Sequence, residues 1–209
     1  MSAIICPTVL AAGPHEFRER MARIASFANR IQIDLMDGKF APTMSIPLDR
    51  IWWDERIQAD IHLMYQSPLQ YLAQLIHLKP HMVIVHFETA VPHEHFVSEL
   101  KKRGIKAGLC LLKDTPVEVA KDVLPLYDHL LIFSGDLGRF GGQADILLVE
   151  KAIQAKAINP HIEVGWDGGV NAENIAALAH GGIDVLNVGG YIQNADDPSA
   201  AYESLTKLL

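Results

Sequence analysis

Cysteine is scarce in this chain: its 209 residues carry only Cys6 and Cys110, each inside an apolar run. Thiols so placed read as reduced, buried side chains, which argues against a disulfide scaffold or a cysteine-based metal site. Positive charge is also short, with 18 Lys and Arg against 25 Asp and Glu and a net charge of −7. A non-specific nucleic-acid binder needs the opposite balance. A small anion remains possible, because backbone N–H groups hold phosphate locally. No apolar run reaches the roughly 18 residues of a membrane span. The N-terminal MSAIICPTVLAAG has too short an apolar part, and no basic leader, for a signal peptide. Low-complexity stretches, linkers and sequence repeats are absent as well. The expectation is one soluble, cytoplasmic domain over residues 1–209 that binds neither nucleic acid nor membrane.

What is present is an alternation of short apolar runs with longer amphipathic ones. Strands are predicted over Ile4–Leu10, Arg30–Leu35, Gln58–Met64, Met82–His86, Lys106–Leu111, His129–Phe133, Glu163–Trp166 and Val185–Val188. Helices are predicted over His15–Ala28, Pro68–Leu78, His93–Lys102, Pro116–Leu124, Ile146–Ile158, Asn174–His180 and Pro198–Leu208, with a weaker pattern at Pro47–Trp53. Near-continuous apolar strands, each followed by a crossover, imply a parallel sheet covered by helices. Eight such units in this length suit a closed TIM (β/α)8 barrel. A Rossmann reading fails at the first turn, where Thr8-Val9-Leu10-Ala11-Ala12-Gly13 replaces the glycine fingerprint. The active site is therefore expected on the C-terminal face of a barrel.

Polar residues cluster where that rule wants them. Strand two contains Gln32 and Asp34, two apart and so on one face. His62 lies in strand three, His86 and Glu88 end strand four, and Asp167 ends strand seven. One such group is ordinarily a satisfied structural polar residue; four strands ending this way point to chemistry. Glycine pairs follow strands six, seven and eight: Gly141-Gly142, Gly168-Gly169 and Gly189-Gly190. A lone pair is usually a turn. After strands seven and eight, however, barrels hold phosphate on backbone N–H groups, and a Cβ would keep the backbone away. A phosphate cradle beside carboxylates and imidazoles suits proton abstraction next to a carbonyl. The other histidines, Trp52 and Trp53 read as packing residues, with the tryptophans a candidate oligomer contact.

The chain resembles the ribulose-phosphate 3-epimerase family along nearly its whole length. The resemblance rests on Pro7-Thr8-Val9-Leu10, IDLMDGKFAPT at 33–43, HLM at 62–64, VHFE at 85–88, FGGQ at 140–143, DGGV at 167–170 and NVGG at 187–190. It implies a divalent metal (Zn, Mn, Fe, Co or Mg), an enediolate intermediate, and two aspartates, Asp34 and Asp167, acting as opposed acid and base. It also implies metal ligands at Asp34, His62 and Asp167, methionines Met36 and Met64 closing over the intermediate, and substrate contacts at Thr8 and the glycine pairs. Three departures stand out. Gln32 occupies the place of the family's first metal-binding histidine, Thr8 that of a serine, and Ser134 to Gln143 forms a longer lid without the usual proline. Phe133 falls where the family has a further methionine. An amide oxygen is a harder ligand than imidazole, which weakens the case for zinc. The expected activity is interconversion of D-ribulose 5-phosphate and D-xylulose 5-phosphate by a homo-oligomer. An epimerase of a hexulose phosphate such as allulose 6-phosphate, and a catalytically idle sugar-phosphate binder, are the alternatives.

Overall fold

A computed structural model describes residues 3–138 and 142–209. Eight parallel strands close into a barrel in the order β1 to β8, with β1 pairing β8. They span Ile4–Val9 (β1), Arg30–Met36 (β2), Gln58–Met64 (β3), Met82–His86 (β4), Lys106–Leu111 (β5), His129–Phe133 (β6), Glu163–Asp167 (β7) and Val185–Val188 (β8). Helices cover the outside: Pro14–Ile24 (α1), Leu72–Leu78 (α2), His93–Lys101 (α3), Glu150–Ile158 (α4), Ile175–His180 (α5), the short Gly190–Gln193 (α6) and Pro198–Thr206 (α7). No helix among the described residues is long and apolar enough to cross a membrane.

The expected strands agree with the observed ones to within a residue at each end. The helix predicted at Pro116–Leu124 does not form, and two 3-10 turns, Val117–Ala120 and Leu124–Leu126, stand in its place. Val117 and Val119 are stiff in a helix, and Pro125 has no N–H to continue one.

Within the apolar strands, alternation decides what faces where. Ile31, Ile33 and Leu35 of β2 join the large apolar layer beneath the helices, together with Ile61, Leu63, Val83, Val85, Val164 and Trp166. The intervening residues line the barrel interior. There the lower end is charged, with Arg30, Asp60 and Glu163 in contact. The middle is apolar, built from Met82, Ile84, Cys110 and Leu131. The upper end is polar again, because the register aligns Gln32 with Thr8, Asp34 with His62, and Asp167 with Asn187. Both cysteines are free and buried, as expected.

Candidate active site

The upper polar layer forms the floor of a cavity of about 280 Å³ at the C-terminal mouth. Asp34 and Asp167 lie on this floor, carried by strands separated by β1 and β8. Gln32 ties them together: its Nε2 donates to Asp34 Oδ1 at 2.9 Å and to Asp167 Oδ2 at 2.6 Å. His62 Nδ1 lies 3.0 Å from the same Asp34 oxygen and 3.6 Å from the same Asp167 oxygen. The other oxygens, Asp34 Oδ2 and Asp167 Oδ1, have no hydrogen-bond partner among the described residues.

Electrostatics follow from this crowding. Burial, and then the charge of Asp34, push the Asp167 carboxyl up to about 7, against the opposing pull of His62 and Gln32. Two carboxylates at this spacing cannot both ionise cheaply. Burial likewise pushes His86 down to about 4 despite the neighbouring Glu88.

The donor set fits a divalent cation. One ligand atom from each of Asp34, His62 and Asp167 lies within 4.8 Å of the others. Ligands held about 2.1 Å from one ion stand roughly 3 to 3.5 Å apart, and His62 Nδ1 stands 3.0 and 3.6 Å from the two carboxylates. Gln32 presents its amide nitrogen, which has no lone pair to offer, while its buried Oε1 has no partner. Turning this amide over would place the oxygen among the same atoms and complete a fourth position.

The remaining predicted residues mostly converge on the same cavity: Thr8, Met36, Met64, Gly142, Gly168, Gly169, Gly189 and Gly190 all line it, as does Phe133. Gly141, with Arg139 and Phe140 of the lid, lies outside the described residues. The glycines are not equivalent. Gly168 and Gly169 have φ of +117° and +70°, and a Cβ on either would stand 2.2 Å from backbone nitrogen of the loop after β6. Their first requirement is therefore that neighbouring loop. At Gly190 an added Cβ would meet only Asn194 Nδ2, at 3.5 Å. The loop after β6 also reaches across the mouth, where Thr43 Oγ1 donates to Gly138 O at 2.9 Å.

Sequence reasoning missed Asn187. It is 3% exposed, lines the cavity beside Asp167, and its side chain has no partner among the described residues. The signal was an amide set in the apolar run Val185-Leu186-Asn187-Val188, on the strand face that the parallel register assigns to the interior.

The model of the family described as "Ribulose-phosphate 3 epimerase family" matches residues 4–193. The chain belongs to the ribulose-phosphate 3-epimerase family. Its relatives there include the ribulose-phosphate 3-epimerase of Mycobacterium leprae, 31% identical over 99% of this chain and 95% of that protein. The Helicobacter pylori (strain ATCC 700392 / 26695) enzyme of that name is also 31% identical, over 96% of this chain and 95% of its own length. Among solved structures, 3-hexulose-6-phosphate synthase from Salmonella typhimurium superposes with a TM-score of 0.73, covering 100% of this chain and 98% of that one. At 15% identity that likeness shows the fold alone.

Proposed function

We propose that this chain is a ketose-phosphate 3-epimerase that interconverts D-ribulose 5-phosphate and D-xylulose 5-phosphate, with Asp34 and Asp167 as its acid and base. The observation carrying this reading is the pair itself. Two carboxylates carried by β2 and β7 share one cavity floor, and burial pushes one of them, Asp167, up to about 7.

Inversion at C3 requires a proton taken from one face and a proton returned to the other. The ionised aspartate removes the first through its cavity-facing oxygen, and the protonated one delivers the second. In the reverse direction the roles exchange. Met36, Met64, Leu10 and Phe133 line the cavity and keep bulk water from the carbanionic carbon. The Thr8 hydroxyl and the Asn187 amide supply hydrogen bonds to substrate hydroxyls. Backbone N–H groups around Gly189 and Gly190 receive the phosphate.

A divalent cation would be held by Asp34, His62, Asp167 and the Gln32 amide oxygen. When bound, it supplies positive charge that stabilises an enediolate. Three oxygen donors and one imidazole favour a hard ion such as Mn²⁺ or Mg²⁺ over Zn²⁺. Gln32→His should therefore tighten zinc binding by at least about tenfold, read from competition with a chelator. Equal zinc affinity in wild type and variant would remove the special role of Gln32.

The phosphate assignment is tested at Gly190, which lines the cavity and where an added Cβ would meet only the Asn194 side chain. Gly190→Val should raise KM for the sugar phosphate about tenfold or more while Tm stays within a few degrees. An unchanged KM would move the phosphate elsewhere. Direct assay of the purified protein with D-ribulose 5-phosphate, with epimer formation followed by a coupled reaction, tests the activity itself. Turnover of allulose 6-phosphate in its place would assign a hexulose substrate.

A further inference from the structure

The loop after β7 forms one wall of the cavity, where Gly168, Gly169 and Val170 all line it. No lysine, arginine or histidine is among the described residues of that lining. An anion held there depends on uncharged donors, and this loop offers two. The N–H groups of Gly169 and Val170 have no hydrogen-bond partner among the described residues. Val170 is only 6% exposed, and a buried N–H is costly unless something accepts from it.

The carbonyls beside these N–H groups decide where they point. No peptide bond among the described residues is cis, and in a trans peptide the C=O and the following N–H point opposite ways. Trp166 is fully buried and donates from its indole Nε1 to Gly168 O at 2.9 Å. That bond is firmly held, because a buried indole N–H has to find an acceptor. It fixes the peptide plane between Gly168 and Gly169, so Gly169 N–H points away from the indole. Asn174 holds the next plane. Its Nδ2 donates to Gly169 O at 2.8 Å, and its Oδ1 accepts from Asn171 N–H at 2.9 Å. Asn171 Nδ2 adds a longer bond to the same carbonyl, at 3.3 Å. Val170 N–H therefore points away from both amides.

We propose that Trp166 and Asn174 are positioning residues for the substrate phosphate. Each locks one peptide plane of the loop after β7 by its carbonyl. The freed N–H groups of Gly169 and Val170 then bind phosphate oxygens together with those around Gly189 and Gly190. Backbone donors fixed in advance receive an anion without the cost of ordering a long side chain. The inference rests on the phosphate reading of this cavity, and its test does not need turnover.

The probe is inorganic phosphate, titrated to saturation into full-length protein labelled with ¹⁵N and followed by its backbone amide resonances. Binding should move the amide protons of Gly169 and Val170 downfield. Trp166→Phe should abolish the shift at Gly169 and spare that at Val170. Asn174→Leu should do the reverse. Each variant should bind phosphate about tenfold more weakly, the loss of roughly one charge-assisted hydrogen bond. For D-ribulose 5-phosphate, KM should rise by a similar factor while kcat changes by less than about threefold. Phosphate binding that leaves both wild-type resonances in place overturns the proposal, even if neither variant folds. So do variants that bind phosphate as the wild type does, or that lose both shifts together through a general loosening of the loop. If Gly190→Val weakens phosphate and these two variants do not, the phosphate reading stands and the positioning roles fail alone. If phosphate perturbs no residue of the cavity, the phosphate reading fails and takes the inference with it.

Discussion

Asp34→Asn and Asp167→Asn should each abolish epimerisation, lowering kcat by about 10⁴-fold or more. The amide keeps the size of the carboxylate and removes its basicity, so the fold has little reason to change. Both residues also belong to the proposed cation ligands, and the assay therefore belongs in saturating divalent metal. With metal in excess, one competent base remains in each variant. That base can still exchange the C3 proton of the epimer whose proton faces it, and D₂O incorporation should favour opposite epimers in the two variants. Interconversion at near wild-type rate in either variant would end the two-base assignment. A symmetric loss of exchange with both epimers would instead make one aspartate a cation ligand alone.

Arg30→Met should be the most destabilising single change in the barrel interior, costing about 3–5 kcal/mol at pH 7. Arg30 Nε donates to Asp60 at 2.7 Å, and its two terminal nitrogens bind Glu163 at 2.9 and 2.8 Å. His129 Nδ1 reaches the same glutamate at 2.8 Å, and His81 Nδ1 reaches Asp60 at 2.7 Å. Methionine fills the volume but leaves two acidic groups inside the barrel without their cation. The pH dependence tests the cause. Burial works to raise Glu163, yet hydrogen bonds from Arg30 and His129 hold it well below the usual glutamate range. A depressed carboxylate contributes stability above its unfolded value and loses it as pH falls. The deficit of Arg30→Met, measured by denaturant unfolding, should therefore shrink below about pH 4.3, the ordinary glutamate value. A deficit independent of pH would assign the loss to packing.

The gathering of polar groups at the barrel mouth was legible in sequence because each group sits at or near a strand end. Asp34, His62 and Asp167 interrupt apolar runs, and a parallel barrel gathers such positions on one face whatever its loops do. The glycine pairs after β7 and β8 were legible as cavity-lining positions but not as causes. Gly168 and Gly169 are required first by the loop after β6, which lies some 25 to 35 residues earlier in the chain and packs directly on them. A single amide in an apolar run is ordinarily a structural polar residue, and only the alignment of β8 with Asp167 places Asn187 in the cavity.

By itself, then, the sequence determined the alternation of strand and helix, the closed parallel barrel, and the end of the barrel at which its reactive groups stand. These follow from local periodicity, which a short window of residues expresses completely. Tertiary structure alone decided that Arg30 meets Glu163, 133 residues away. It decided that Gln32 turns its amide nitrogen to both aspartates, and that His62 rests on His86. Those pairings depend on how the strands are staggered when the sheet closes and β1 meets β8. That stagger is set by packing around the whole ring, which no single segment of the chain contains.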